Sequence, residues 1–136
     1  MQVRAIMHTD VVTATPDMSI AQVWRLMHDK HIRHVPVVSG KRLVGMVTDR
    51  DIRDAMPSPA TTLSRGEIAY QMDTTKVETC MTKKVVTVNG DMDTEEAARL
   101  LLEGKFGCLP VVDGSTLMGV MTDIDFLRAF LESGKA

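Results

Sequence analysis

Two cysteines, Cys80 and Cys108, are too few for a disulfide-stapled scaffold in 136 residues and fall in no zinc-ligand spacing. They read as small, reduced core hydrophobes. Aromatic residues are scarce at 4% of the chain, so Val, Leu, Ile and Met must build the core. The methionines fall mostly at apolar positions such as Met27, Met46 and Met121, as adaptable filler does. No apolar run approaches the roughly 20 residues of a membrane span, and Met1-Gln-Val-Arg-Ala-Ile-Met-His8 lacks the apolar stretch of a secretory signal. A cytoplasmic protein with no membrane partner is therefore expected. Basic charge is not in excess either: the formal net charge of −2 leaves no electrostatic footprint for nucleic acid, which is excluded as a partner.

What the chain does have is a duplication. Val3 to Met56 lies over Val77 to Phe130 without a gap, at a constant offset of 74, with about a third of the paired positions identical. Val11-Val12-Thr13 matches Val85-Val86-Thr87, Pro36-Val37-Val38 matches Pro110-Val111-Val112, and Leu43, Gly45, Thr48, Asp49 and Asp51 match their partners.

Each copy parses alike. Val11 to Thr13 and Val85 to Val88 predict short extended pieces, closed by Pro16 or by Asn89-Gly90. Ser19 to Gln22 and Asp93 to Glu96 predict capping boxes. The helices they open carry Ile20, Val23, Trp24 and Met27, or Ala97, Ala98, Leu101 and Leu102, at helical spacing. They are expected to end near Lys30 to Ile32 and at Gly104, with Gly104 in the left-handed position. Val35 to Val38 and Leu109 to Val112 then predict strands that turn at Ser39-Gly40 and Asp113-Gly114 into Leu43 to Val47 and Leu117 to Met121. A closing helix follows, Asp49 to Met56 or Asp123 to Leu131, with Ile52 and Ala55, or Phe126, Ala129 and Phe130, expected to face inward. Between the copies, Pro57-Ser-Pro-Ala-Thr-Thr62 is turn-rich, and Ser64-Arg-Gly-Glu67 predicts one more capped helix through about Met72. A copy of about 55 residues is marginal alone. The expected organisation is therefore a first repeat over 1–58, a connector over 59–74 and a second repeat over 75–136 that together form one module.

The chemistry concentrates in Gly45-Met-Val-Thr-Asp-Arg-Asp51 and Gly119-Val-Met-Thr-Asp-Ile-Asp125, each running from a strand into a helix. The glycine lets another group approach the backbone, and Thr-x-x-Asp sets a hydroxyl beside a carboxylate at a helix N-terminus. The same pattern caps a helix, so the two roles are compatible.

With Pro-Val-Val, Gly-x-x-Thr-x-x-Asp and a β-α-β-β-α order all occurring twice in register, the chain resembles the cystathionine β-synthase (CBS) domain family, whose tandem pair is called a Bateman module. The resemblance implies an α/β fold of the α+β type, two repeats packed sheet to sheet with pseudo-two-fold symmetry. It also implies a regulatory function, with no catalytic domain left over. Such pairs bind adenine nucleotides, so AMP is the first expectation and ADP, ATP, NAD or S-adenosylmethionine the others. Carried onto this chain, the resemblance implies that Asp51 and Asp125 take ribose hydroxyls with Thr48 and Thr122 beside them. Arg33, His34, Arg50 and Arg53 are expected to meet phosphate, the second copy having Gly107, Cys108, Ile124 and Leu127 there. Val11, Val12, Val85, Val86, Met46 and Val120 are the apolar residues expected to wall the adenine. It implies as well a homodimer that acts on a regulated protein the sequence does not identify.

Other functions fit less well. His28, His31 and His34 lack a fixed third ligand, so no metal is expected. No paired carboxylates in an apolar setting and no nucleophile with an adjacent base are present, so the chain is not expected to be an enzyme. The alternative is a structural or protein-interaction module with no bound nucleotide.

Overall fold

Helix starts are set by short polar side chains that answer the first orphan N–H groups. In the computed structural model, which describes residues 1–133, Ser19 and Gln22 cap each other at the head of helix α1 (Ile20–Lys30). Strands β1 (His34–Ser39) and β2 (Arg42–Thr48) follow as hydrogen-bonded neighbours, turning at Gly40, whose φ of 64° a side chain would strain. Next come helices α2 (Asp49–Ala55) and α3 (Arg65–Thr74). The second half supplies strand β3 (Val88–Asn89), helix α4 (Thr94–Gly104), strands β4 (Cys108–Asp113) and β5 (Thr116–Thr122), and helix α5 (Asp123–Ser133). The mixed α/β class is the expected one. Among the described residues no helix is long and apolar enough to cross a membrane.

The chain forms two compact units. One, called the Asp51 unit, comprises Val12–Gly40 and Val44–Lys84. The other, the Asp125 unit, comprises Met1–Val11, Lys41–Leu43 and the chain from Val85 onward. Each therefore takes its leading segment from the opposite copy of the repeat. In the Asp51 unit, Val77 N–H donates to the Met18 carbonyl (2.8 Å) and Glu78 N–H to that of Pro16 (3.2 Å). In the Asp125 unit the register equivalents do the same, Val3 to Met92 (2.8 Å) and Arg4 to Gly90 (3.1 Å). Val77 and Val3 are both fully buried, which is worth ~1.5–3 kcal/mol each.

The Asp51 unit has its own core: Ile20, Val23 and Met27 of α1 pack with Val35, Val37, Val47, Ile52 and Val77. On the side of β1 away from β2, Ala14 adds a single parallel bridge, bonding to Pro36 and Val38 at 2.9 and 2.8 Å. In the Asp125 unit, Val3, Val88, Ala97, Leu101, Leu109, Val111 and Met121 form the core. There β4 pairs antiparallel with β5 and parallel with β3, Val88 opposite Val111, and Arg42 adds a pair beside Thr116.

Several expectations are corrected. The extended pieces enter the ladder later than expected: of Val85 to Val88 only Val88 is in β3, and in the first copy the bridge falls on Ala14, after Val11 to Thr13, because β-propensity without a partner strand has no force. The left-handed cap falls on Lys105 (φ 54°), one past Gly104, and on its equivalent His31 (φ 55°). In both, the next N–H reaches back five residues, Phe106 to Leu101 and Ile32 to Met27, which closes the helix end whatever the side chain. Asp93 accepts from Glu95 N–H at α4, without a reciprocal bond from Glu96. The connector helix α3 starts in the expected box but runs to Thr74, buries no residue and leaves Tyr70 exposed. Ala55, Leu102 and Phe130, expected inward, are exposed, whereas Ile52, Ala97 and Leu101 are buried.

Candidate functional site

Each unit places one Thr-x-x-Asp pair where its second long strand meets a helix. In the Asp51 unit, Thr48 leaves β2 with extended backbone, so its Oγ1 accepts from Asp51 N–H (3.1 Å) while Asp51 Oδ2 accepts from Thr48 N–H (2.9 Å). The box orients the carboxylate through one oxygen. Asp51 is half-buried, and among the described residues nothing bonds its Oδ1. Its negative charge, after burial, helps push the Cys80 thiol pKa up.

Arg33, His34, Arg50 and Arg53, the residues expected to meet phosphate, lie in the same unit. Asp49 N–H donates to the Arg33 carbonyl (3.0 Å), which ties the start of α2 to the residue before β1. Arg50 and Arg53 project from α2, exposed, each beside a carboxylate one turn away: Arg53 Nη2 to Asp49 Oδ2 at 3.1 Å and Arg50 Nε to Asp54 Oδ2 at 4.0 Å. Such pairs hold only ~0.3–0.5 kcal/mol, so either guanidinium is easily redirected. Arg33 is exposed and His34 half-buried at the head of β1. A cleft of about 380 Å³ opens here, lined by Trp24, Met27, His28, His31, Ile32, Arg33 and Asp49. His28 donates from Nδ1 to the Trp24 carbonyl (3.0 Å) and leans on the Trp24 ring. A second cleft of about 620 Å³ in this unit is lined by Pro16, Ser39, Val44, Glu78, Thr79, Met81 and Lys83.

The Asp125 unit repeats the frame with different contacts. Asp125 Oδ2 accepts from both the N–H and the hydroxyl of Thr122, at 2.9 and 3.0 Å. Its Oδ1 lies 2.5 Å from His8 Nε2. Asp125 is 3% exposed. Burial and then the charges of Asp125 and Asp123 push the Cys108 thiol pKa up to about 12.

The close approach behind both pairs depends on the motif glycines. A Cβ on Gly119 would sit 2.5 Å from the His8 carbonyl oxygen, and one on Gly45 would sit 2.6 Å from Met81 Sδ and 3.0 Å from the Thr82 carbonyl. His8 and Val120 exchange two main-chain bonds (2.8 and 2.9 Å), as do their register equivalents Thr82 and Met46.

Thr48, Asp51, Arg33, His34, Arg50 and Arg53 thus belong to one unit, and Thr122 and Asp125 to the other. The six apolar residues expected around adenine divide: Val12 and Met46 lie in the Asp51 unit, and Val11, Val85, Val86 and Val120 in the Asp125 unit. Met46 is buried and Val86 exposed. Among the described residues no cluster of three or more His, Cys, Asp or Glu is placed to hold a metal ion. His8 escaped the sequence reading. Its only signal was register: it stands in the first copy where Thr82 stands in the second.

Comparison with known proteins follows the two sequence copies. The CBS domain family model matches residues 3–58 and 77–132. Inosine-5'-monophosphate dehydrogenase from Methanocaldococcus jannaschii is 32% identical over 121 residues, 88% of this chain. The match takes in 21% of that enzyme, so the chain spans about a fifth of the relative's length. Among solved structures, CBSX2 from Arabidopsis thaliana, in complex with AMP, is 28% identical with a TM-score of 0.82 over 98% of both chains. The CBS domain pair of protein MJ0100, in complex with 5'-methylthioadenosine and S-adenosyl-L-methionine, is 25% identical with a TM-score of 0.76 over 100% of this chain and 98% of that one.

Proposed function

The chain belongs to the CBS-domain family, of which it carries a tandem pair, and from that premise we propose that it is a regulatory module binding an adenine nucleotide and acting on a partner protein. One observation carries the reading. Asp51 is held by its helix cap through one carboxylate oxygen while the other is unbonded among the described residues, in the unit that also bears Arg33, His34, Arg50 and Arg53. An ionised carboxylate accepts the hydroxyls of a ribose, and guanidinium groups answer the phosphate. AMP is the first ligand to test, because a relative of nearly equal length was solved with it. ADP, ATP, NAD and S-adenosylmethionine are the alternatives within the class. The proposed role is regulation rather than catalysis, and the proposed compartment is the cytoplasm.

Calorimetric titration of the purified chain with these five compounds tests the proposal. Saturable binding of at least one supports it, and none binding at millimolar concentration overturns it.

A second reading, a module used for assembly, is favoured by a different observation. Ile124, Leu127, Phe130 and Leu131 of α5 are all more than half exposed, more apolar surface than one solvent-facing helix side commonly shows. A homodimer through α5 accounts for it and is compatible with nucleotide binding. Light scattering that gives a monomer at micromolar concentration would remove it.

A further inference from the structure

We propose that His8 is a latch on the second half of the module, holding the Asp125 oxygen that a ribose hydroxyl would need, so that this unit accepts a nucleotide only after the imidazole swings away. The inference rests on the nucleotide-binding reading above and adds to it an order of binding. In the Asp125 unit both carboxylate oxygens are engaged, Oδ2 by the Thr122 N–H and hydroxyl and Oδ1 by His8 Nε2. Asp125 is buried, so losing the His8 contact without replacement leaves a carboxylate oxygen desolvated and unanswered. A ligand hydroxyl therefore has to exchange with the imidazole rather than add to it.

The geometry also says how the latch opens. His8 and Val120 exchange two main-chain hydrogen bonds, and the missing Cβ of Gly119 lets the His8 carbonyl seat against β5. The backbone at His8 is thus pinned. Its side chain, however, is 49% exposed and has solvent to rotate into. Opening is a rotamer change of one ring, not withdrawal of the leading segment.

The Asp51 unit has no such latch. The same main-chain pairing there places Thr82 opposite Met46, and among the described residues no side chain reaches Asp51 Oδ1. Two sites that descend from one duplicated frame are consequently unequal, and the Asp51 unit fills first.

Titration of the full chain with AMP, as wild type, His8→Thr and His8→Gln, tests this. Threonine is what the other copy carries at this position, and glutamine keeps a side-chain N–H of similar reach. The wild type and His8→Gln are expected to show one tight site and a second at least about 10-fold weaker, the loss of roughly one charge-assisted bond. His8→Thr is expected to strengthen the weak site by a similar factor, and Asp51→Asn in that background should leave the strengthened site in place. Two equal sites in the wild type, or a weak site indifferent to His8→Thr, would overturn the latch while nucleotide binding stands. No AMP binding by any of the proteins would overturn the latch together with an AMP site.

Discussion

Asp51→Asn separates a ribose ligand from a helix cap, because the two roles use different properties of the carboxylate. The cap needs only an acceptor for Thr48 N–H, at 2.9 Å from Oδ2, and an asparagine oxygen can provide it. What stability is lost is the charge at the head of α2, worth ~0.3–1 kcal/mol, or a fall in Tm of at most about 5 °C for a chain of this size. The ribose role needs the negative charge and both acceptor oxygens. A hydrogen bond to a charged group is worth ~1.5–3 kcal/mol, so AMP should bind the variant about 10- to 150-fold more weakly. A second ligand, 2'-deoxy-AMP, completes a thermodynamic cycle, since it lacks one of the hydroxyls at issue. The wild type should prefer AMP to its deoxy analogue by about 10-fold or more, and Asp51→Asn should erase most of that preference. Calorimetric titration of both ligands against both proteins measures all four corners. If the variant loses AMP and 2'-deoxy-AMP by equal factors, or binds AMP as the wild type does, Asp51 is a cap alone and the ribose assignment is wrong.

Three further outcomes are expected. The double variant Arg33→Ala, Arg50→Ala should lose affinity for AMP by at least about 10-fold more than for adenosine, which has no phosphate to answer; equal losses in titrations of the two would refute a phosphate role. Gly119→Ala should cost ~1–3 kcal/mol by urea denaturation, because its Cβ meets the His8 carbonyl at 2.5 Å. Gly45→Ala should cost less, since its nearest neighbour is the flexible Met81 side chain at 2.6 Å and the Thr82 carbonyl stands back at 3.0 Å. Cys108 gives a pH dependence: burial, Asp125 and Asp123 raise its pKa from 9.0 to about 12, so the folded state keeps a thiol proton that the unfolded chain gives up. Stability should therefore be unaffected by this group below 9.0 and decline as pH rises from there towards about 12, by roughly 1 to 3 kcal/mol at pH 11. Urea denaturation of the wild type against Cys108→Ala at pH 8 and pH 11 isolates the contribution, and parallel declines would refute it.

The parts legible in the sequence are those decided by residues close together in the chain. Ser19 with Gln22, Thr48 with Asp51 and Ser64 with Glu67 form the expected reciprocal caps, and the turns at Gly40 and Gly114 adopt positive φ. The constant offset of 74 made the duplication visible and with it the family. What stayed hidden depends on distant partners. That Val3 would bond to Met92 and Val77 to Met18 is written in no local pattern, because the leading segment of either copy has the same apolar spacing. His8 looked like an unremarkable polar residue until the chain brought Asp125 to its ring. The left-handed cap at Lys105 was misassigned to Gly104 because the sequence favours glycine there, whereas the helix length is set by the Phe106 to Leu101 bond.

The differences between the copies fall on the few positions that act. At equivalent places on α2 and α5, Arg50 and Arg53 are replaced by Ile124 and Leu127, and before the Pro-Val-Val strands Arg33 and His34 are replaced by Gly107 and Cys108. Much of the backbone frame recurs: the Thr-x-x-Asp caps, the bridges at Met46 and Val120 and the leading-segment bonds fall in register. A frame so conserved between copies constrains the glycines, threonines and aspartates that build it, and leaves the outward face of the closing helix free to diverge. In one unit that face carries exposed Arg50 and Arg53, and in the other exposed Ile124, Leu127 and Leu131. The His8 contact falls in the unit where Ile124 and Leu127 replace the arginines, on the more buried of the two motif aspartates. If the proposed roles hold, one duplicated scaffold divides ligand capture and assembly between its two units, and neither unit is built from one copy alone, because each takes its leading segment from the opposite copy of the repeat.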